Sequence, residues 1–123
     1  MKQEQVGKVT IDFVAKGKDE SEWLAVLVEE AGDSFDIDEF LYEFQDRLYN
    51  CLDAIIDGQL AEKFPDTKGR NIIIRVDCYK LPKAEIKEFF DDFSGGILTV
   101  PDYASALASS VYVNNINFVI NFD

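Results

Sequence analysis

Apolar residues recur at Ile37, Phe40, Leu41, Phe44, Leu48, Cys51, Leu52, Ile55 and Ile56, between Asp36 and Asp57. This is the spacing of a helix with one broad apolar face, and it is the longest unbroken period in the chain. Asp36 is placed to cap it, with Glu39 three residues on, and Phe35 and Phe40 occupy the positions of a hydrophobic staple. Asp38 and Glu39 lie where the helix dipole is positive. Gly58 is the predicted break, with Gln59–Lys63 adding a turn before Pro65. The opposite face carries Glu39, Tyr42, Glu43, Asp46, Asn50, Asp53 and Asp57. Like charges at Glu39/Glu43, Glu43/Asp46 and Asp53/Asp57 repel, each pair costing about 0.2–0.5 kcal/mol. Only Arg47 and Lys63 are cationic between Asp33 and Asp66.

Period-two alternation marks the strands. Val6 to Ala15 predicts a half-buried strand with Val9, Ile11, Phe13 and Ala15 inward. Glu22 to Glu30, apolar on both faces at its centre rather than alternating, predicts a second, joined to it through the turn residues Gly17–Ser21 as an antiparallel hairpin. Asn71 to Tyr79 alternates Ile72, Ile74, Val76 and Cys78 against Ile73, Arg75, Asp77 and Tyr79, and its β-branched run suits a central strand. A second helix is expected from Lys83 to Phe93, ended by Ser94-Gly95-Gly96, and a short helix is expected after Pro101. Ile116, Phe118, Ile120 and Phe122 define a last strand. The expected fold is α+β, a two-layer sandwich in the order β-β-α-β-α-(short α)-β. Its four-stranded sheet is expected to be mainly antiparallel, with the helices packed on one face and a parallel pair possible at the Asn71–Tyr79 strand. No repeat or linker divides residues 1–123, which read as a single domain.

Composition narrows the function. With 47% hydrophobic residues and ten Phe the chain can build a core. Twenty-four acidic residues against twelve basic give a net charge of −12. That argues against nucleic acid and anionic membranes as partners, and for a basic protein. It equally fits an acidic chain that is simply soluble. No histidine is present, which removes the common nucleophile pairs and the commonest metal ligand. The acids around Asp33, Asp36 and Asp38 lack the spacing of a calcium loop, and no glycine-rich phosphate motif occurs. The expectation is therefore a protein that is not an enzyme and carries neither cofactor nor metal. Cys51 and Cys78 both fall on apolar faces and read as buried free thiols, with a disulfide left open. The opening MKQEQVGKV has no secretory apolar region and no run reaches membrane-spanning length, so a cytoplasmic location is expected.

Ile11-Asp12-Phe13, Leu27-Val28, Gln45-Asp46-Arg47-Leu48-Tyr49-Asn50 with Leu52, and Asp57-Gly58-Gln59-Leu60 form one set of local signals. Phe64-Pro65-Asp66-Thr67-Lys68-Gly69-Arg70 and Ile72-Ile73-Ile74 complete it. Through them the chain resembles a family of small bacterial αβ proteins that has no assigned active site. The resemblance implies a fold and transfers no functional residue, and the chain departs from it after Gly96. In composition it also resembles bacterial toxin-immunity proteins. The leading expectation is a small acidic binding protein of the immunity or inhibitor kind. It would neutralise a basic, nuclease-type toxin through Glu39, Tyr42, Glu43, Asp46, Asn50, Asp53 and Asp57. The alternatives are a homo-oligomeric module, such as a homodimer formed through the Asn115–Asp123 edge, and a small-molecule-binding module with Trp23, Tyr79 and Tyr103 around its site.

Overall fold

The computed structural model describes residues 11–18 and 21–123. Its best-specified element is helix α1 (Ile37–Ile56). The Asp36 carboxylate accepts from the backbone N–H groups of Asp38 at 2.9 Å and Glu39 at 3.3 Å, satisfying two donors that the helix itself leaves open. The rings of Phe35 and Phe40 meet with centroids 5.7 Å apart, closing the staple. Phe44, Leu48, Cys51, Leu52, Ile55 and Ile56 are buried, as the spacing predicts. Each large side chain among them contributes about 1.5–3 kcal/mol of burial. At the far end Gly58 adopts a left-handed φ of +99° and leads into the short α2 (Gln59–Lys63).

The sheet comprises β1 (Phe13–Lys16), β2 (Glu22–Glu30), β3 (Arg70–Tyr79) and β4 (Val113–Phe122), in that spatial order. The expectation of a mainly antiparallel sheet is corrected. β1–β2 is antiparallel, whereas β2–β3 and β3–β4 are both parallel. β1 and β2 are adjacent in sequence, with the Gly17 N–H donating to the Glu22 carbonyl at 2.8 Å; residues 19–20 of the expected turn lie outside the described residues. Between β2 and β3 the chain returns through α1, and between β3 and β4 through α3 (Lys83–Gly96) and α4 (Pro101–Ser109). Such helical crossovers bring the next strand in parallel.

One face of the sheet meets the helices. On it Trp23, Ala25 and Leu27 lie beside Ile72, Ile74 and Val76, which lie beside Ile116, Phe118 and Ile120. These side chains share one apolar cluster with α1 and α3. Phe44 of α1 packs on Phe89 of α3, and Phe90 and Phe93 pack on Phe118 of β4. Cys51 and Cys78 are both buried and free. Burial pushes each thiol up to about 12, so neither is a ready nucleophile.

Two further expectations are corrected. The first strand was expected to turn Phe13 and Ala15 inward. Instead Phe13 is 63% exposed, Ala15 is exposed, and Val14 packs on the core opposite Ala25. The chain bends at Asp12, whose N–H donates to the Val26 carbonyl and whose carboxylate accepts from the Val28 N–H. Ile11 still reaches the core, but after the bend the side-chain parity is reversed. The predicted residues 6–10 of this strand lie outside the described residues. The other correction concerns Gly95 and Gly96, which do not stop α3. The helix runs through Gly96, and the Ile97 N–H donates to the Phe93 carbonyl before a 3-10 turn (Ile97–Thr99) and Pro101 begin α4.

Candidate binding face of helix α1

At 100° per residue, Glu39, Tyr42, Glu43, Asp46, Asn50, Asp53 and Asp57 all fall within about 60° of a single line along α1. The line runs about 27 Å from Glu39 to Asp57. All seven residues are exposed, and none is turned into the core or covered by the sheet. Tyr42 stands 70% exposed among the carboxylates of its upper half.

Arg47, the one cation within α1, does not neutralise this line. It lies about 80° round the helix, on the side facing the sheet. There its guanidinium donates to the Asp12 carboxylate, to Glu29 Oε2 at 2.8 Å and to the Val28 carbonyl at 3.1 Å. The side chains of Arg47 and Glu29 retain only 21% and 14% exposure. Burial penalises the Arg47 charge, but the bonds to Asp12 and Glu29 outweigh it and raise the guanidinium pKa. Glu29 has one cation for partner and two carboxylates nearby. Its burial wins over Arg47, with Asp12 and Glu43 adding to it, and its pKa is raised. The positive charge of α1 is thus spent inward, tying the helix to β2 and to the segment before β1.

The two halves of the line differ. The side chains of Glu39, Tyr42, Glu43 and Asp46 make no hydrogen bond or ion pair within the described residues. The lower half is braced by α4. The Tyr103 hydroxyl donates to Asp53 Oδ1 at 3.0 Å, and its ring lies against Tyr49, which meets Phe93 edge-on. Burial and the bond to Asp53 push the Tyr103 phenol up to about 12. Ser110 donates to the Ile56 carbonyl, one of the unpaired acceptors at the end of α1. Tyr112 then covers Gly58 so closely that a Cβ there would stand 2.8 Å from its ring. The sequence alone gave no sign that Tyr103 belongs to this face, because its contact with Asp53 joins positions 50 residues apart.

Trp23, Tyr79 and Tyr103 are not brought together. Trp23 packs on the core at the start of β2, Tyr79 projects from the opposite sheet face at the end of β3, and Tyr103 lies outside α1. Among the described residues the strand order has no reversal at which an open α/β sheet forms its ligand crevice. Among the described residues no three His, Cys, Asp or Glu side chains gather as a metal site requires, and no helix is long and apolar enough to cross a membrane. Comparison with family models, with curated proteins and with solved structures finds no match to this chain.

Proposed function

We infer that this chain is a small acidic binding protein of the immunity or inhibitor type. It meets the cationic cleft of a nuclease-type toxin with the outer face of α1. One observation carries the reading: α1 keeps every carboxylate of the Glu39–Asp57 line in solvent while its only cation is held inward by Asp12 and Glu29. A nuclease must present positive charge to bind phosphates. The carboxylates stand three or four residues apart, about 4.5–6 Å along the helix, except for the seven-residue step from Asp46 to Asp53 that Asn50 fills, a spacing such a cleft can follow. Tyr42 supplies an exposed aromatic of the kind that anchors protein interfaces. The line also steers association, so complex formation should be fast at low salt and slow as salt rises.

The test is binding and protection. The chain is expressed beside the basic secreted nucleases of its host, and the complex is measured by calorimetry. Combined Glu43→Lys, Asp46→Lys and Asp53→Lys should weaken binding by at least about a hundredfold and abolish protection, with the circular dichroism of the free chain unchanged. Binding that survives the triple reversal would remove α1 as the contact surface.

A further inference from the structure

The two edges of the sheet are unlike. β1 is four residues long and ends in Lys16. β4 is ten residues long, VNNINFVINF, with no charge and no proline. Among the described residues nothing pairs with its outer side. The uncharged run is wider than the strand: no charged residue occurs from Tyr103 to Phe122, in a chain of net charge −12. Long edge strands are normally blunted by charge, proline or a bulge, because their free N–H and C=O groups template another strand. The only irregularity here is at the very start, where the register with β3 shifts between Arg70 and Asn71.

We propose that β4 pairs with β4 of a second copy, antiparallel about a two-fold axis at Val119, joining two sheets into one of eight strands. Three observations favour a second copy over another partner. The edge offers no charge to attract a different protein, and along the paired strands themselves no carboxylate is set against another. The side chains are also self-complementary in this register. Val119, 39% exposed, meets itself, and Asn117 faces Asn121 of the other strand on both sides of the axis. The Asn121 amide N–H already donates to Asp77 Oδ1, which leaves its carbonyl oxygen to accept from the opposing Asn117. On the helix side the half-buried Phe118 meets Ile120, and the buried Ile116 meets the half-buried Phe122, so the two cores become continuous. The α1 line lies on the helix layer and stays open, so this pairing is independent of the binding reading above.

Sedimentation equilibrium on the full chain tests it. The expected result is twice the chain mass, with dimerisation that tightens as salt rises, because salt screens the mutual repulsion of the two copies. Val119→Lys sets two cations opposite each other at the axis and should weaken dimerisation by about tenfold or more. Asn117→Lys is a second variant, at an exposed position outside the core, in case the first is poorly folded. Val119→Cys should form an intermolecular disulfide under mild oxidation, because directly opposed Cβ atoms lie about 4.5–5.5 Å apart. Cys51 and Cys78, buried with raised pKa, stay silent in that assay. Phe13→Cys, on the other edge, should give no cross-link. A monomer at every concentration and salt, or a dimer indifferent to both lysine variants, overturns the proposal. So does cross-linking through Phe13→Cys in place of Val119→Cys.

Discussion

Helix α1 carries charge on two sides, and the two sides obey different rules. Inward, Arg47 is shared between Asp12 and Glu29, each group has a partner, and the cluster is mostly withdrawn from water. Outward, carboxylates run from Glu39 to Asp57, and among the described residues Asp53 alone receives a bond, from Tyr103. Carboxylates are structural where Arg47 reaches them, at Asp12 and Glu29 outside the helix, and available along the outer line of α1 itself. Burial and pairing make the difference, and residue type does not. A net charge of −12 is therefore a poor guide to where a partner could bind; the informative fact is which charges the fold has already used.

The contrast breaks most visibly at Arg47. Arg47→Leu leaves Glu29 and Asp12 without their cation in a half-buried site, and should cost about 2–3 kcal/mol in urea unfolding. The loss lies below the range for fully buried pairs because water still reaches the guanidinium. Arg47→Lys should recover only part of it, since an ammonium cannot span two carboxylates and a carbonyl with the same fork of donors. Partner binding through the outer line should persist in whatever fraction remains folded. An Arg47→Leu chain as stable as the parent would mean that the inner cluster is not what fastens α1 to β2.

Much of this was legible in the sequence, and the parts that were not share a cause. α1 was readable because its cap, staple and period are local: Asp36, Phe35 and Phe40 act within a few residues. β3 was readable from alternation, β2 from a run apolar on both faces, and the short helix after Pro101 from the proline itself. Strand direction was misjudged because alternation is the same in parallel and antiparallel strands, and only the crossovers through α1 and through α3 with α4 set it. The parity of β1 was misjudged because a bend at Asp12, held by Val26, Val28 and Arg47, cannot be seen from residues 11–16 alone. Gly95 and Gly96 looked like a stop on propensity, and the backbone bond from Ile97 to Phe93 carries the helix through them. The outer line itself was legible by spacing; its bracing by Tyr103 was not.

That bracing offers a smaller and pH-dependent way to sharpen the comparison. Tyr103→Phe removes the hydroxyl bond to Asp53 and should cost about 1 kcal/mol, the worth of a partly exposed hydrogen bond. Burial and Asp53 raise the folded phenol from 10.0 to about 12. The folded chain then holds the proton more tightly than the unfolded one. The Tyr103 contribution is therefore fully present below pH 10 and is lost as pH climbs through about 12. The stability gap between the parent and Tyr103→Phe should close over that window. A gap that stayed constant would show that the phenol proton has no part in holding α4 to α1.

The smallest effects are the most telling, because their sign is unusual. Glu43→Gln removes two repulsive pairs, with Glu39 and with Asp46, and should stabilise the chain by about 0.4–1 kcal/mol at low salt. Asp57→Asn takes a carboxylate away from the negative end of the α1 dipole, whose last turn holds no basic residue, and should add about 0.3–1 kcal/mol. Both gains should fade as salt screens the charges, a dependence that thermal melts at several ionic strengths would resolve. The inner cluster should respond less, being shielded from solvent. Removing the inner charge thus destabilises the protein, whereas removing an outer one that holds no bond steadies it. If the outer substitutions destabilised the chain instead, those carboxylates would be holding the fold together, and the case for their meeting a partner would fail on stability alone, before any binding was measured.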